Sequence, residues 1–222
     1  MKFTMKFMAL AIVLILAGAP VCSAQHKPAA GCNFPYDGFA ITPGQAEQIA
    51  EVTAPAALSL ELCGSTSECA ASRAALGAPV WIIRQQGGWT CGYYSSRSGS
   101  GTAWIRSDAL RMAPYDAHPP LKAWIGTWAG GEDRVLIRAG RAPGTLHLAG
   151  KAVWHGRMDN VHFGDMDGDA APTDNHLHFV QHEPNSCTID MTLLGRYILA
   201  SDNQLCGALN ARFQGIWERT SP

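Results

Sequence analysis

Six of the eight histidines fall between residues 147 and 182: His147, His155, His162, His176, His178 and His182. In the run Asn175-His176-Leu177-His178-Phe179, a strand period of two sends the two imidazoles to one side and Leu177 and Phe179 to the other. His147 opposes Leu146 and Leu148 in the same way, and Asp190 opposes Ile189 and Met191. Imidazoles at i and i+2, with His182 four residues further on, have a spacing that a zinc ion can use. The competing reading is a wet sheet face, polar because it meets solvent and pH-sensitive below about 6.5 because it is rich in imidazole. Asp165-Met166-Asp167-Gly168-Asp169 places carboxylates at positions one, three and five of a calcium-type loop. The glycine, however, is at position four, and position twelve is His176 instead of glutamate. That leaves a solvated acidic loop or a loose calcium site completed by backbone carbonyls. No cofactor is expected; zinc or calcium on these residues is the one exception weighed.

Nucleophilic chemistry finds little support. The chain has no GxSxG elbow. Its cysteines are better used in cross-links than as thiolates. Glu132-Asp133, Asp159 and Asp190 could supply paired carboxylates, but sequence alone does not bring any two of them into one cleft. No catalytic residue is assigned, and the expected role is non-catalytic. The aromatic residues point instead to recognition. Trp89 and Trp104 are expected in a core or lining a groove, with Tyr94 and Arg97 as the exposed contacts. Aromatic-lined grooves bind extended peptides, polyproline or glycan stems through apolar faces and few hydrogen bonds.

The elements that must position these groups read as strands. Val80, Ile82, Trp89, Cys91 and Tyr93 alternate at the period of a half-buried strand, and Gly87-Gly88 marks a hairpin between them. Residues 96–101, SRSGSG, read as a loop, and AWIRSDAL carries Trp104 into a short closing turn. Gly88-Trp89, then Ala103-Trp104-Ile105, Ser107 and Leu110 resemble the bacterial SH3-like barrel, with alanine where that pattern has its second glycine. The resemblance covers residues 54–112. It implies binding of cell-wall peptide or of another protein. Leu58, Leu60 and Leu62 alternate in a strand over 56–63 that matches the first strand of such a barrel, and 66–77 reads as a helical turn ending at Gly77. The preceding 25–53 is a lead-in. Thr42, Pro43 and Gln45 there have the pattern of a helix start before AEQIAEV, which could instead be a strand.

Residues 113–120, APYDAHPP, read as a proline-rich linker. Residues 121–222 read as seven or eight short strands punctuated by turns at Gly130-Gly131, 140–144, Gly150, an acidic loop over 164–174, Pro184-Asn185 and 201–203. The whole is expected to be all-β: an SH3-like barrel followed by a small antiparallel β-barrel or sandwich. Gly126-Thr127-Trp128 resembles the opening of lipocalin-like and avidin-like barrels. That resemblance implies that Trp128 closes one barrel end under a late basic residue, Arg219 or Arg212.

Residues 1–24 have the parts of an export signal: Lys2 and Lys6, an apolar core over 7–17 too short to span a membrane, and Cys22-Ser23-Ala24 before the expected cut. Lipidation at Cys22 is the alternative. Export leaves Cys32, Cys63, Cys69, Cys91, Cys187 and Cys206, an even set suited to three disulfides. Pairing within domains forces Cys187–Cys206 and leaves three arrangements for the other four. A formal net charge of −1 without a basic run gives no argument for nucleic acid as a partner, none being expected, and no later stretch is long and apolar enough to cross a bilayer. The function expected is recognition of peptidoglycan or an envelope protein, in the periplasm or outside the cell. The alternatives are an inhibitor or immunity protein against a lysozyme-like hydrolase, with 164–174 as its inserted loop, and a metal-dependent enzyme using the histidine strands.

Overall fold

The computed structural model describes residues 31–32, 48–53, 60–62, 70–72, 76–96, 99–181 and 186–221. The expected leader 1–24 with Cys22, the helix start at Thr42 to Gln45, and Cys63, Cys69, Arg97 and His182 lie outside the described residues. The fold is all-β. Chain order begins β1 (Ile49–Val52), β2 (Leu60–Leu62), β3 (Ala70–Ser72), β4 (Pro79–Gln86), β5 (Trp89–Ser96), β6 (Gly99–Arg106) and β7 (Leu110–Met112). It continues β8 (Gly126–Gly130), β9 (Asp133–Ala139), β10 (Leu146–His155), β11 (Val161–Ala170), β12 (His176–Gln181), β13 (Cys187–Leu194), β14 (Tyr197–Asp202) and β15 (Gly215–Ser221). These form an antiparallel five-stranded sheet, β6-β5-β4-β1-β7, an eight-stranded sheet, β11-β10-β9-β8-β15-β14-β13-β12, and a ribbon of β2 with β3.

Two helical expectations are corrected. Ile49–Val52 is a strand lying between β4 and β7, not part of a helix. These four residues make ladder bonds on both edges and bury Ile49, Ala50 and Val52, which stabilises them more than a short helix would. Ala70–Ser72 is likewise a strand, opposite Leu60–Leu62, where a helical turn was expected. That ribbon pairs Leu62 with Ala70, the chain neighbours of Cys63 and Cys69.

In the five-stranded sheet, Gly87 and Gly88 have φ of 55° and 79°, the two positive values of the tight turn that suits a twisted hairpin. One face carries Val52, Val80, Tyr94 and Ile105 into a small core. The opposite face presents Trp81 and Tyr93, with Ile49 of the same sheet, to a second cluster made with Leu194, Tyr197, Leu199 and Ile216 of the larger sheet. The segment is therefore covered on both faces. Cys91, tied to Cys32, is buried as well. The loop expected over 96–101 is shorter than read, because β5 and β6 pair as far as Ser96 opposite Gly99. The closing turn is a 3₁₀ turn at Ser107–Ala109, held where Thr90 and Ser107 share a 2.8 Å hydroxyl contact.

The eight-stranded sheet curls into a nearly closed antiparallel barrel whose edge strands are β11 and β12. Its interior is filled by side chains, among them Trp124, Trp128, Trp217, Phe179 and Phe213, each at most 1% exposed. Strand β14 is buried along its whole length. Its inward residues meet the barrel core and its outward ones meet the smaller sheet. At one end the indole of Trp128 donates to the Trp124 carbonyl at 2.8 Å. The guanidinium carbon of Arg219 lies 4.6 Å from the centre of the Trp128 ring, and Arg219 also donates to the carbonyl of Ala123.

The acidic stretch is a further correction. Val161–Ala170 is strand β11, so most of the expected 164–174 loop is extended and paired along β10. Its carboxylates alternate outward, while Gly164, Met166 and Gly168 face inward. A Cβ on Gly168 would meet Phe179 at 3.1 Å and one on Gly164 the Cys206 carbonyl at 2.7 Å, so the glycines admit the closest packing at the seam.

Where the two sheets meet, Glu51 accepts hydrogen bonds from Arg111 at 3.0 Å and from the Tyr197 hydroxyl at 3.0 Å, with Arg196 3.3 Å away. Burial alone would raise the Glu51 carboxyl; these donors outweigh it and hold the group below the usual carboxylate range. Burial pushes the Tyr197 phenol up to about 12. Gly195, at φ 66°, lets the backbone pass Pro114, whose carbonyl oxygen would lie 2.5 Å from any Cβ there. Cys32–Cys91 and Cys187–Cys206 are both bonded, which places the folded chain in an oxidising, non-cytoplasmic setting. Among the described residues no helix is long and apolar enough to cross a membrane.

Candidate functional site

The aromatic residues expected to grip a ligand differ in exposure. Tyr94 and Trp104 are each 3% exposed and belong to the interior, which corrects the expectation that Tyr94 is an exposed contact. Trp89 is half-buried. The guanidinium carbon of Arg84 lies 5.1 Å from the centre of the Trp104 ring.

Among the described residues, the histidines of the barrel strands lie on its outside and make separate contacts. His178 pairs with Asp190 across β12 and β13 at 2.6 Å, while His176 meets Thr192 at 3.2 Å. His147 bonds Asp169 at 2.7 Å and lies 3.6 Å from Asp167. Asp165 is 3.8 Å from Lys151. The His147 contact holds the Asp169 carboxyl below its usual range. His118, bonded to Asp174 at 2.7 Å, is raised by that contact. Of the calcium-type set, Asp167 and Asp169 share His147 while Asp165 faces Lys151, and of the zinc-type set the described His176 and His178 have separate cross-strand partners. Among the described residues no three His, Cys, Asp or Glu side chains converge to hold a metal ion.

A concave site does form where the two sheets meet. The turn after β8 and the start of β9 supply Gly131, Glu132 and Asp133; the end of β10 supplies His155; Gln214 precedes β15; and Tyr93 reaches in from β5. The cleft encloses about 280 Å³. His155 Nε2 and Glu132 Oε2 are 2.6 Å apart on the open side, both more than half exposed. Asp133 Oδ1 accepts from the Val153 amide at 2.9 Å. Burial pushes its carboxyl up to about 6, against the pull of the Val153 amide and Arg134. The Gln214 amide oxygen is buried without a partner among the described residues. The lining therefore offers acceptors of three kinds, an exposed carboxylate, a largely buried one and an orphaned amide oxygen, and suits a ligand rich in N–H donors. Among the described residues no Ser, Thr or Cys side chain lines it.

Sequence reading named Glu132-Asp133 without a partner and left out Tyr93 and Gln214. The Gly130-Gly131 turn signalled a hairpin there, but the partner surface comes from residues far along the chain. Compared with known proteins, the chain matches no family model, and no curated protein or solved structure is similar to it.

The shifted Asp133 carboxyl makes stability depend on pH. Its folded value is above the unfolded one of about 3.8, so between pH 4 and 6 the folded chain binds more protons and stability falls as pH rises. Asp133→Asn keeps the acceptor for Val153 and removes the charge. After discounting for partial exposure, we expect it to add about 1–2 kcal/mol at pH 8 and almost nothing at pH 4, read by urea unfolding at both values.

Proposed function

We propose that the protein is an exported, non-catalytic binding protein of the bacterial cell envelope that recognises cell-wall peptide. The observation that carries this reading is the acceptor-lined cleft between the two β units. Stem peptides of the wall present amide N–H groups and free amines, the donors that Glu132, Asp133 and Gln214 call for. The packed barrel interior supports recognition at the surface over a ligand held in the barrel. On this reading the smaller unit is an SH3-like module and the setting is the periplasm or the cell exterior. The inhibitor reading named 164–174 as its inserted loop, and 164–170 of that stretch is strand.

Co-sedimentation with purified sacculi tests the proposal. The protein should pellet with sacculi, and Glu132→Gln should weaken retention about three- to fivefold, the scale of one exposed ion pair. Acetylating the amines of the sacculi should have a similar effect. Equal retention of parent and Glu132→Gln, or none by the parent, would remove the cleft from the account.

A further inference from the structure

A second surface, independent of the cleft, lies at the barrel seam. Residues 203–210 run from the end of β14 toward β15 and cross the start of β11, where Gly207 pairs with Gly164 and the Ala208 amide bonds the Phe163 carbonyl at 3.0 Å. The segment is anchored from below. The buried Asp202 carboxylate accepts from the amides of Phe213 at 2.6 Å and Gln204 at 3.0 Å. Asn203 accepts from Thr188 and Leu205 and donates to the Ser186 carbonyl. Cys206 is bonded to Cys187 on β13. A segment held at this many points nonetheless presents Leu205 and Leu209 to water, 50% and 73% exposed, beside Phe163 at 56%. Such fixed apolar groups lose little conformational freedom on meeting a partner.

Leu205, Phe163 and the Cys187–Cys206 bridge border a pocket of about 230 Å³, with Asp165 also in its lining. Asp165 and Asp167 continue the outward row from Phe163, with side chains 68% and 76% exposed. Two basic groups stand near these carboxylates: Lys151, 3.8 Å from Asp165 on an open surface, a contact of little strength, and the His147 imidazole, 3.6 Å from Asp167. We infer that this seam surface is a docking site for a protein segment carrying a lysine or arginine next to an apolar residue. The methylene stem of such a side chain covers Phe163 and Leu205 while its head reaches Asp165 and Asp167. The same carboxylates repel an anionic lipid surface. They also disfavour a second copy, because a two-fold contact would set acid against acid.

The test uses two acetylated decapeptides. One has Leu-Lys and Leu-Arg pairs spaced by Gly-Ser; the other has glutamate in place of each basic residue. Each is titrated into the isotope-labelled full chain and followed by NMR. The basic peptide should bind at least fivefold more tightly, move amide signals at 163–167 and 205–209, and weaken as salt is raised. The exposed variants Leu205→Ser with Leu209→Ser, and separately Asp165→Asn, should each weaken it at least fivefold without changing the melting temperature. Glu132→Gln, in the other cleft, should leave it unchanged. The inference fails if neither peptide binds, if both bind equally, if the shifts lie elsewhere, if phosphatidylglycerol vesicles bind instead, or if the chain self-associates through this surface in sedimentation.

Discussion

Trp128→Ala is expected to lower the unfolding free energy by about 3–5 kcal/mol, the usual scale for emptying a large buried aromatic site. Trp128 is fully buried in the barrel core. Three losses add together. The cavity cannot collapse easily, because Trp124, Trp217 and Phe213 are themselves fixed by strands on several sides. The Trp124 carbonyl loses its indole donor. Arg219, whose guanidinium burial already disfavours, loses the ring face it rests on. Trp128→Phe separates these terms, since it keeps much of the ring and the cation contact and removes the hydrogen bond. We expect it to cost about 1–2 kcal/mol. Urea unfolding followed by near-ultraviolet circular dichroism reads both variants. A Trp128→Ala chain that unfolds like the parent would show that the barrel end is held by something other than this indole.

At that end of the barrel the sequence offered Trp128 with either Arg219 or Arg212 over it, on the resemblance of Gly126-Thr127-Trp128 to a barrel opening, and it is Arg219 that lies over the ring. The Gly87-Gly88 hairpin, the strands β12 to β14 and the Cys187–Cys206 pair were legible from sequence. What was not legible has a common physical cause: the inward-facing residue did not look like a core residue. On β11 the inner positions are Gly164, Met166 and Gly168, because Phe179 and the Cys206 backbone occupy the space that larger side chains would fill. With so little apolar volume inside and three aspartates outside, the segment reads as a loop. On β5 the alternation was visible but its meaning was not. Tyr93 and Tyr94 look equivalent, yet one packs toward the barrel and the other toward the small core, because the sheet is covered on both sides. The candidate cleft was hidden for a different reason. Tyr93, Asp133, His155 and Gln214 are brought together by the packing of one sheet on the other, and no local pattern encodes that.

Replacing both Cys187 and Cys206 by serine is expected to cost about 3 kcal/mol, within a range of about 2–4, if the link acts by restricting the unfolded chain. The bond spans 19 residues, a loop of the size for which that entropy is substantial. The enclosed segment is mostly the β13–β14 hairpin, whose ladder runs from Leu194 opposite Tyr197 to Ile189 opposite Asp202. A hairpin that persists in the unfolded ensemble would already hold the ends close, and the loss would then drop below about 1 kcal/mol. The two cases are separated by the denaturant slope, which should rise in the serine variant if the cross-link was compacting the unfolded chain and stay constant if the hairpin does so. The native segment 203–210 should keep its place in either case. Asp202 and Asn203 continue to hold it through backbone amides, so stability and the seam surface can be varied separately.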